Sequence, residues 1–178
     1  LVRIHPAYVL NTTRWSDAIN EMKREVPALK KKFGSLFSVS DQEVEQVGDV
    51  RLLTHKNQIL NKEIFSHADV LVNIYSTQMV EAAIFDLPII TAGWHPLRNT
   101  DMPISVFEEY DHVRRVIATG AVTTAHSPAE LIAAINADLA DRSRLEAQRK
   151  ALLDQEITHF RGNAGVRTAQ RIVDLART

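Results

Sequence analysis

SHADVLVNIYSTQMVEAAIFDLPIITAGW, residues Ser66 to Trp94, is the stretch from which the fold is read. Asp69 to Tyr75 is an apolar run rich in Val and Ile, Ser76 and Thr77 open a helical pattern, and Leu87-Pro88 leads into a second apolar run, Ile89 to Ala92. Apolar runs that do not alternate suit strands covered on both faces, as in a parallel sheet, and the helix between them makes a βαβ crossover. The chemistry lies in the turn. Ser76 and Thr77 fall at the carboxyl end of a parallel strand and the amino end of a helix, where free backbone N–H groups favour an anion such as phosphate. Ser and Thr also cap ordinary helices, so the junction alone does not require a ligand. Glu81 adds to it. It follows the turn by one helical turn, in a helix whose next residues, Ala82 to Phe85, read as largely buried, and a buried carboxylate needs a partner. Ribose hydroxyls are suitable partners while the turn holds phosphate.

The flanks supply further elements. Leu1 to His5 reads as a strand already under way, with no initiator Met, so the chain is expected to be a piece of a longer protein whose missing part lies upstream. Pro6 ends that strand and places His5 at its carboxyl end, the edge where open α/β sheets keep ligands. Ser16 or Asp17 caps a helix running to Lys32, kinked or divided at Pro27 and stopped by Gly34. Ser35 to Ser40 and Val50 to Thr54 read as short strands, Asp41 to Asp49 as an acidic loop, and Thr54 to Phe65 as a helix. After the central unit, a loop from Gly93 to Pro103 brings Trp94, His95 and Arg98 to the ligand edge; His95 and Arg98 are its anion-binding or proton-moving groups. Phe107 to Thr119 reads as a helix carrying His112, and Ala121 to Ala125 as a last strand. Ser127-Pro128-Ala129-Glu130 combines a cap, Pro at the first helical position and Glu at the third, starting a helix that reaches Leu139. Residues 141–178 are helical and heavily charged, with Ile172, Val173 and Leu175 available to pack.

With 178 residues, 45% of them hydrophobic and 24% charged, the chain is expected to form one domain. A net charge of -1 provides no general attraction for nucleic acid or anionic lipid, and Lys30-Lys31-Lys32 is explained by the end of a helix. The absence of Cys excludes disulfides, thiolate zinc sites and a cysteine nucleophile. No apolar run approaches the roughly 20 residues needed to cross a bilayer, and no metal-ligand cluster stands out. About six strands alternating with helices indicate an α/β, Rossmann-like, doubly wound parallel sheet. Neither GxGxxG nor GxxxxGK[ST] is present, which disfavours the dinucleotide-binding and P-loop versions.

The succession Arg3-Ile4-His5-Pro6, Ala68-Asp69-Val70-Leu71-Val72, Ser76-Thr77, Glu81-Ala82, Leu87-Pro88-Ile89-Ile90, Gly120-Ala121-Val122 and Ser127-Pro128-Ala129-Glu130-Leu131 resembles the carboxyl-terminal domain of GT-B-type transferases. Within them it is most similar to the CDP-glycerol glycerophosphotransferase-like and surface-polysaccharide glycosyltransferase-like proteins, over nearly the whole chain. The resemblance implies that Ser76 and Thr77 grip the phosphates of a nucleotide-activated donor, that Glu81 addresses the ribose, and that His5 stands at the active cleft. Tyr75, His95, Arg98 and His112 are additional cleft candidates. The glycerophosphotransferases carry Asp-Tyr-Ser-Ser where this chain has Asn73-Ile74-Tyr75-Ser76-Thr77, so an acidic residue is missing and the pair with Glu81 looks more like a nucleotide-sugar transferase. The resemblance further implies transferase activity without metal or cofactor, a partner amino-terminal domain, and a cytoplasmic setting at the inner face of the membrane reached through the absent region. A nucleotide-sugar 2-epimerase and a non-catalytic nucleotide- or protein-binding module are the alternatives.

Overall fold

The computed structural model describes residues 2–3, 16–40, 44–47, 50–94, 108–157 and 162–177. The chain divides into two compact units, residues 1–64 and 65–178. In the first unit, β1 (Val2–Arg3) pairs in parallel with β2 (Val39–Ser40), and α1 (Ser16–Phe33) lies between them in sequence. α1 runs undivided through Pro27, because a single proline removes one intrahelical hydrogen bond among many. Gly34 ends it in the left-handed conformation, at φ 56°, and a short 3-10 turn, Gly34–Leu36, occupies the start of the stretch read as a strand.

The acidic segment read as a loop is half of a hairpin. β3 (Val44–Val47) and β4 (Val50–Leu53) pair antiparallel, with Val47 opposite Val50 and Val44 opposite Leu53. Val44 and Val47 bracket Glu45 and Gln46, an apolar pattern that the acidic residues obscured. α2 (His55–His67) then leads out of the first unit. Thr54 stands at its start, where its Oγ1 accepts from the Asn57 N–H at 3.3 Å.

The second unit is built on β5 (Leu71–Asn73), β6 (Ile89–Ala92) and β7 (Val122–Ala125), three parallel strands in that spatial order. α3 (Gln78–Ile84) connects β5 to β6, and α4 (Asp111–Ala118) precedes β7. α5 (Pro128–Ala140), α6 (Glu146–Glu156) and α7 (Ala164–Ala176) follow. Among the described residues the strands thus form three small sheets, of two, two and three strands, in place of one sheet of about six.

The sheet of the second unit is covered on both faces. Ile89 joins Phe65, Met79, Ala82, Leu87 and Leu152 on one side, while its neighbour Ile90 packs with Ala125 and Ala134 on the other. Alternate side chains of a strand point to opposite faces, so the double burial of Ile89 and Ile90 is what makes the run uniformly apolar. Each contributes about 2 kcal/mol through burial. β6 is therefore the central strand.

α3 ends at a left-handed residue, Asp86 at φ 51°, in the position usually given to glycine. Its carboxylate accepts from Arg149 Nε at 2.7 Å, and Arg149, only 1% exposed, also donates to the carbonyls of Arg144 at 2.6 Å and Arg142 at 3.0 Å. This one guanidinium ties the start of α6 to the end of α3. By contrast, every described residue of α7 is exposed, including Val166, Ile172 and Leu175. No helix among the described residues is long and apolar enough to cross a membrane.

Candidate functional site

The carboxyl ends of the three parallel strands lie side by side, which brings together the residues that follow each of them: Tyr75 to Thr77 after β5, Gly93 after β6 and His126 after β7. Open α/β sheets keep ligands at this edge, because the strands end there and the helices of the crossovers begin.

Tyr75 sets the conformation of the first turn. Its backbone is left-handed, at φ 39°, an unusual state for a residue with a bulky side chain and a mark of a constrained site. Two anchors hold it there. Its N–H donates to Thr91 Oγ1 at 3.0 Å, from a Thr that is completely buried on the central strand. Its hydroxyl donates to the carboxylate of Glu108, and the ring packs on Val113 of α4. Burial, then the hydrogen bond to Glu108 and its negative charge, push the phenol well above its ordinary range, so the hydroxyl remains a proton donor.

The turn itself is partly committed to its helix. Ser76 Oγ accepts from the Gln78 N–H at 3.3 Å, the Ser76 carbonyl from Met79 at 3.0 Å and the Thr77 carbonyl from Val80 at 3.0 Å. Thr77 is already helical, at φ −56°, and its hydroxyl makes no capping bond. Ser76 is accordingly the capping residue. Among the described residues no protein group accepts from the Ser76 or Thr77 N–H, so two adjacent amides and the Thr77 hydroxyl are the donors that this turn can offer to an anion. Two residues before Tyr75, the Asn73 side chain has both amide atoms buried and unpaired, a costly arrangement of the kind that collects at functional sites.

Glu81 lies one turn into α3 and is exposed, which corrects its placement in a largely buried helix. The buried face of α3 consists of Met79, Ala82 and Ala83, and Ile84, three residues from Glu81, is exposed as well. His112 is exposed on α4, where its ring stacks on Tyr110 with centroids 5.9 Å apart. His5, His95 and Arg98 lie outside the described residues.

Sequence reasoning did not single out Thr91, Gly93, Glu108 or His126. A Cβ placed on Gly93 would come within 2.9 Å of Thr124 Cγ2 and 3.0 Å of both His126 Nδ1 and the Tyr75 hydroxyl oxygen. His126 was visible in principle, as the residue between a parallel strand and the Ser127 capping motif. Its backbone N–H donates to Glu130 Oε2 at 2.9 Å, and Ser127 Oγ accepts from the Glu130 N–H at 3.2 Å. Among the described residues no group of His, Asp and Glu is arranged to hold a metal ion. The chain matches no family model, no curated protein and no solved structure.

Proposed function

We propose that the chain binds a nucleotide-activated donor at the Ser76–Thr77 turn and acts as the donor-binding domain of a GT-B-type glycosyltransferase or glycerophosphotransferase in cell-surface polysaccharide synthesis. The observation that carries this reading is the pair of uncommitted amides at Ser76 and Thr77, placed at the carboxyl edge of a parallel sheet and held by a strained, doubly anchored Tyr75. An edge of this kind suits a phosphate group, because preset N–H donors meet its charge without reorganising. In this reading the chain belongs to the carboxyl half of the two-domain enzyme. Ser76 and Thr77 stabilise the charge that grows on the leaving phosphate, Glu81 accepts from the ribose hydroxyls, and an amino-terminal domain supplies the acceptor and the general base. Binding, not turnover, is then the activity of these 178 residues alone.

Calorimetric titration with CMP, CDP, UDP, GDP, CDP-glycerol and UDP-N-acetylglucosamine tests this. Saturable binding is expected for at least one nucleoside diphosphate, with a loss of tenfold or so in the Ser76→Ala/Thr77→Ala variant, on the order of one charge-assisted hydrogen bond. Binding that the variant keeps in full would show that the two hydroxyls take no part in it. The absence of binding by all six to the folded chain would overturn the reading for this domain.

A further inference from the structure

The chain just after β5 holds two unfavourable features at once. Tyr75 keeps a left-handed backbone, at φ 39°, and the Asn73 side chain has both its amide oxygen and its amide nitrogen sealed from solvent without a partner. Because those two atoms are shut off from water, a ligand arriving from outside does not meet them in this state, and the groups able to satisfy them are those of the turn itself. Two are at hand. Asn73 lies directly across from Thr91 in the parallel register, and Tyr75 follows Asn73 by two residues, the spacing at which an asparagine side-chain oxygen accepts a backbone N–H. In the present arrangement that N–H goes to Thr91 Oγ1, at 3.0 Å, while the Thr91 hydroxyl reaches the Asn73 carbonyl only at 3.5 Å.

One exchange satisfies all of these groups. When the Tyr75 N–H turns from Thr91 Oγ1 to Asn73 Oδ1, the vacated Thr91 oxygen can accept from Asn73 Nδ2, and the Thr91 hydroxyl still donates to the Asn73 carbonyl. The Asn73 amide is then no longer orphaned, and Tyr75 is released from the left-handed region. The Tyr75 side chain opposes the exchange: its hydroxyl donates to the Glu108 carboxylate, and its ring packs on Val113 and Ile117 of α4. We infer that this turn is a two-state latch, in which the Tyr75–Glu108 bond holds the strained state and its release passes the Tyr75 N–H from Thr91 to Asn73. The latch couples the segment ahead of α4 to the end of β5, so a change at Glu108 is felt at the Ser76–Thr77 turn. It stands independently of what binds at that turn.

The test is NMR relaxation dispersion and saturation-transfer exchange on the whole chain without ligand, repeated on Tyr75→Phe, Asn73→Leu and Asn73→Ala. The parent chain is expected to show a minor state of about 0.1–10% at the Tyr75 and Ser76 amides and at the Asn73 side-chain NH2. Tyr75→Phe keeps the ring and removes the hydroxyl, and should raise that population about tenfold, in line with one charge-assisted bond. Both Asn73 variants should abolish the exchange, because the second acceptor for the Tyr75 N–H is gone; Leu nearly keeps the volume, and Ala serves if Leu disturbs the packing. A single state in both the parent and Tyr75→Phe, a population that Tyr75→Phe leaves unchanged, or exchange that survives in the Asn73 variants would each overturn the latch.

Discussion

Replacing Thr91 by Val tests whether the central strand holds the ligand turn in place. Thr91 is completely buried, and its Oγ1 is the acceptor for the Tyr75 N–H at 3.0 Å; its own proton points only weakly to the Asn73 carbonyl, at 3.5 Å. Val has nearly the same shape, so no cavity forms and the change isolates the hydroxyl. The Tyr75 N–H is left buried without an acceptor, which costs about 1–3 kcal/mol. Relief from burying a hydroxyl offsets part of this, leaving a net loss of about 1–2 kcal/mol. Two measurements apply. Urea unfolding reads the stability, and hydrogen exchange followed by NMR reads the Tyr75 amide directly, whose protection should fall far more than that of Leu71 or Ile90 in the same sheet. Donor affinity should fall with it, because the left-handed Tyr75 loses one of its two anchors. A variant as stable as the parent chain, with the Tyr75 amide equally protected, would refute the reasoning.

Other substitutions examine the remaining supports. Arg149→Met removes the ion pair with Asp86 and the bonds to the Arg142 and Arg144 carbonyls, and should cost about 2–4 kcal/mol in urea unfolding; a loss under about 1 kcal/mol would mean that the guanidinium does not join α6 to α3. Gly93→Ala forces a methyl to within 2.9 Å of Thr124 Cγ2 and 3.0 Å of His126 Nδ1, and is expected to lower thermal stability by about 1–2 kcal/mol, with an unchanged melting temperature as the contrary result. The His126 backbone N–H, helped by the Ser127 hydroxyl and the nearby imidazole, holds the Glu130 carboxyl below its ordinary value of 4.5. Because the folded pKa is depressed, this contribution is fully present above that value and is lost as pH falls through the lower, folded one. The melting temperatures of the parent chain and Glu130→Gln should therefore converge on acidification below about pH 4.5, and a constant gap would contradict the assignment.

The parts of this fold that are set by local pattern could be read from the residues. The Ile89-Ile90 pair announced a strand covered on both faces, and the Ser127-Pro128-Ala129-Glu130 run marked the start of α5 to within a residue. Local pattern misled where two signals competed. Glu45 and Gln46 suggested a solvated loop, although the valines around them lie on a strand that pairs antiparallel with Val50–Leu53. Glu81 was assigned burial from the alanines that follow it, but a helix covered on one side buries only every third or fourth residue, and Glu81 with Ile84 lies off the Met79 and Ala82 face. Contacts between distant residues left no local trace. The Tyr75–Glu108 bond joins positions 33 residues apart and the Arg149–Asp86 pair joins positions 63 apart, so neither the anchoring of the turn nor the clasp on α6 could be foreseen. The Ser76–Thr77 pair was legible as the junction between a strand and a helix, whereas the division of labour within it, Ser76 Oγ accepting from Gln78 and the Thr77 hydroxyl making no capping bond, depends on backbone angles that residue types do not specify.

The most direct test of the central claim is an amide NMR titration of the chain with the nucleoside diphosphate that binds best by calorimetry. The account predicts that the largest saturable shifts fall on the Ser76 and Thr77 N–H groups, with smaller ones at Tyr75, Gly93 and His126. Saturable shifts confined to other regions, with Ser76 and Thr77 unmoved, would contradict it.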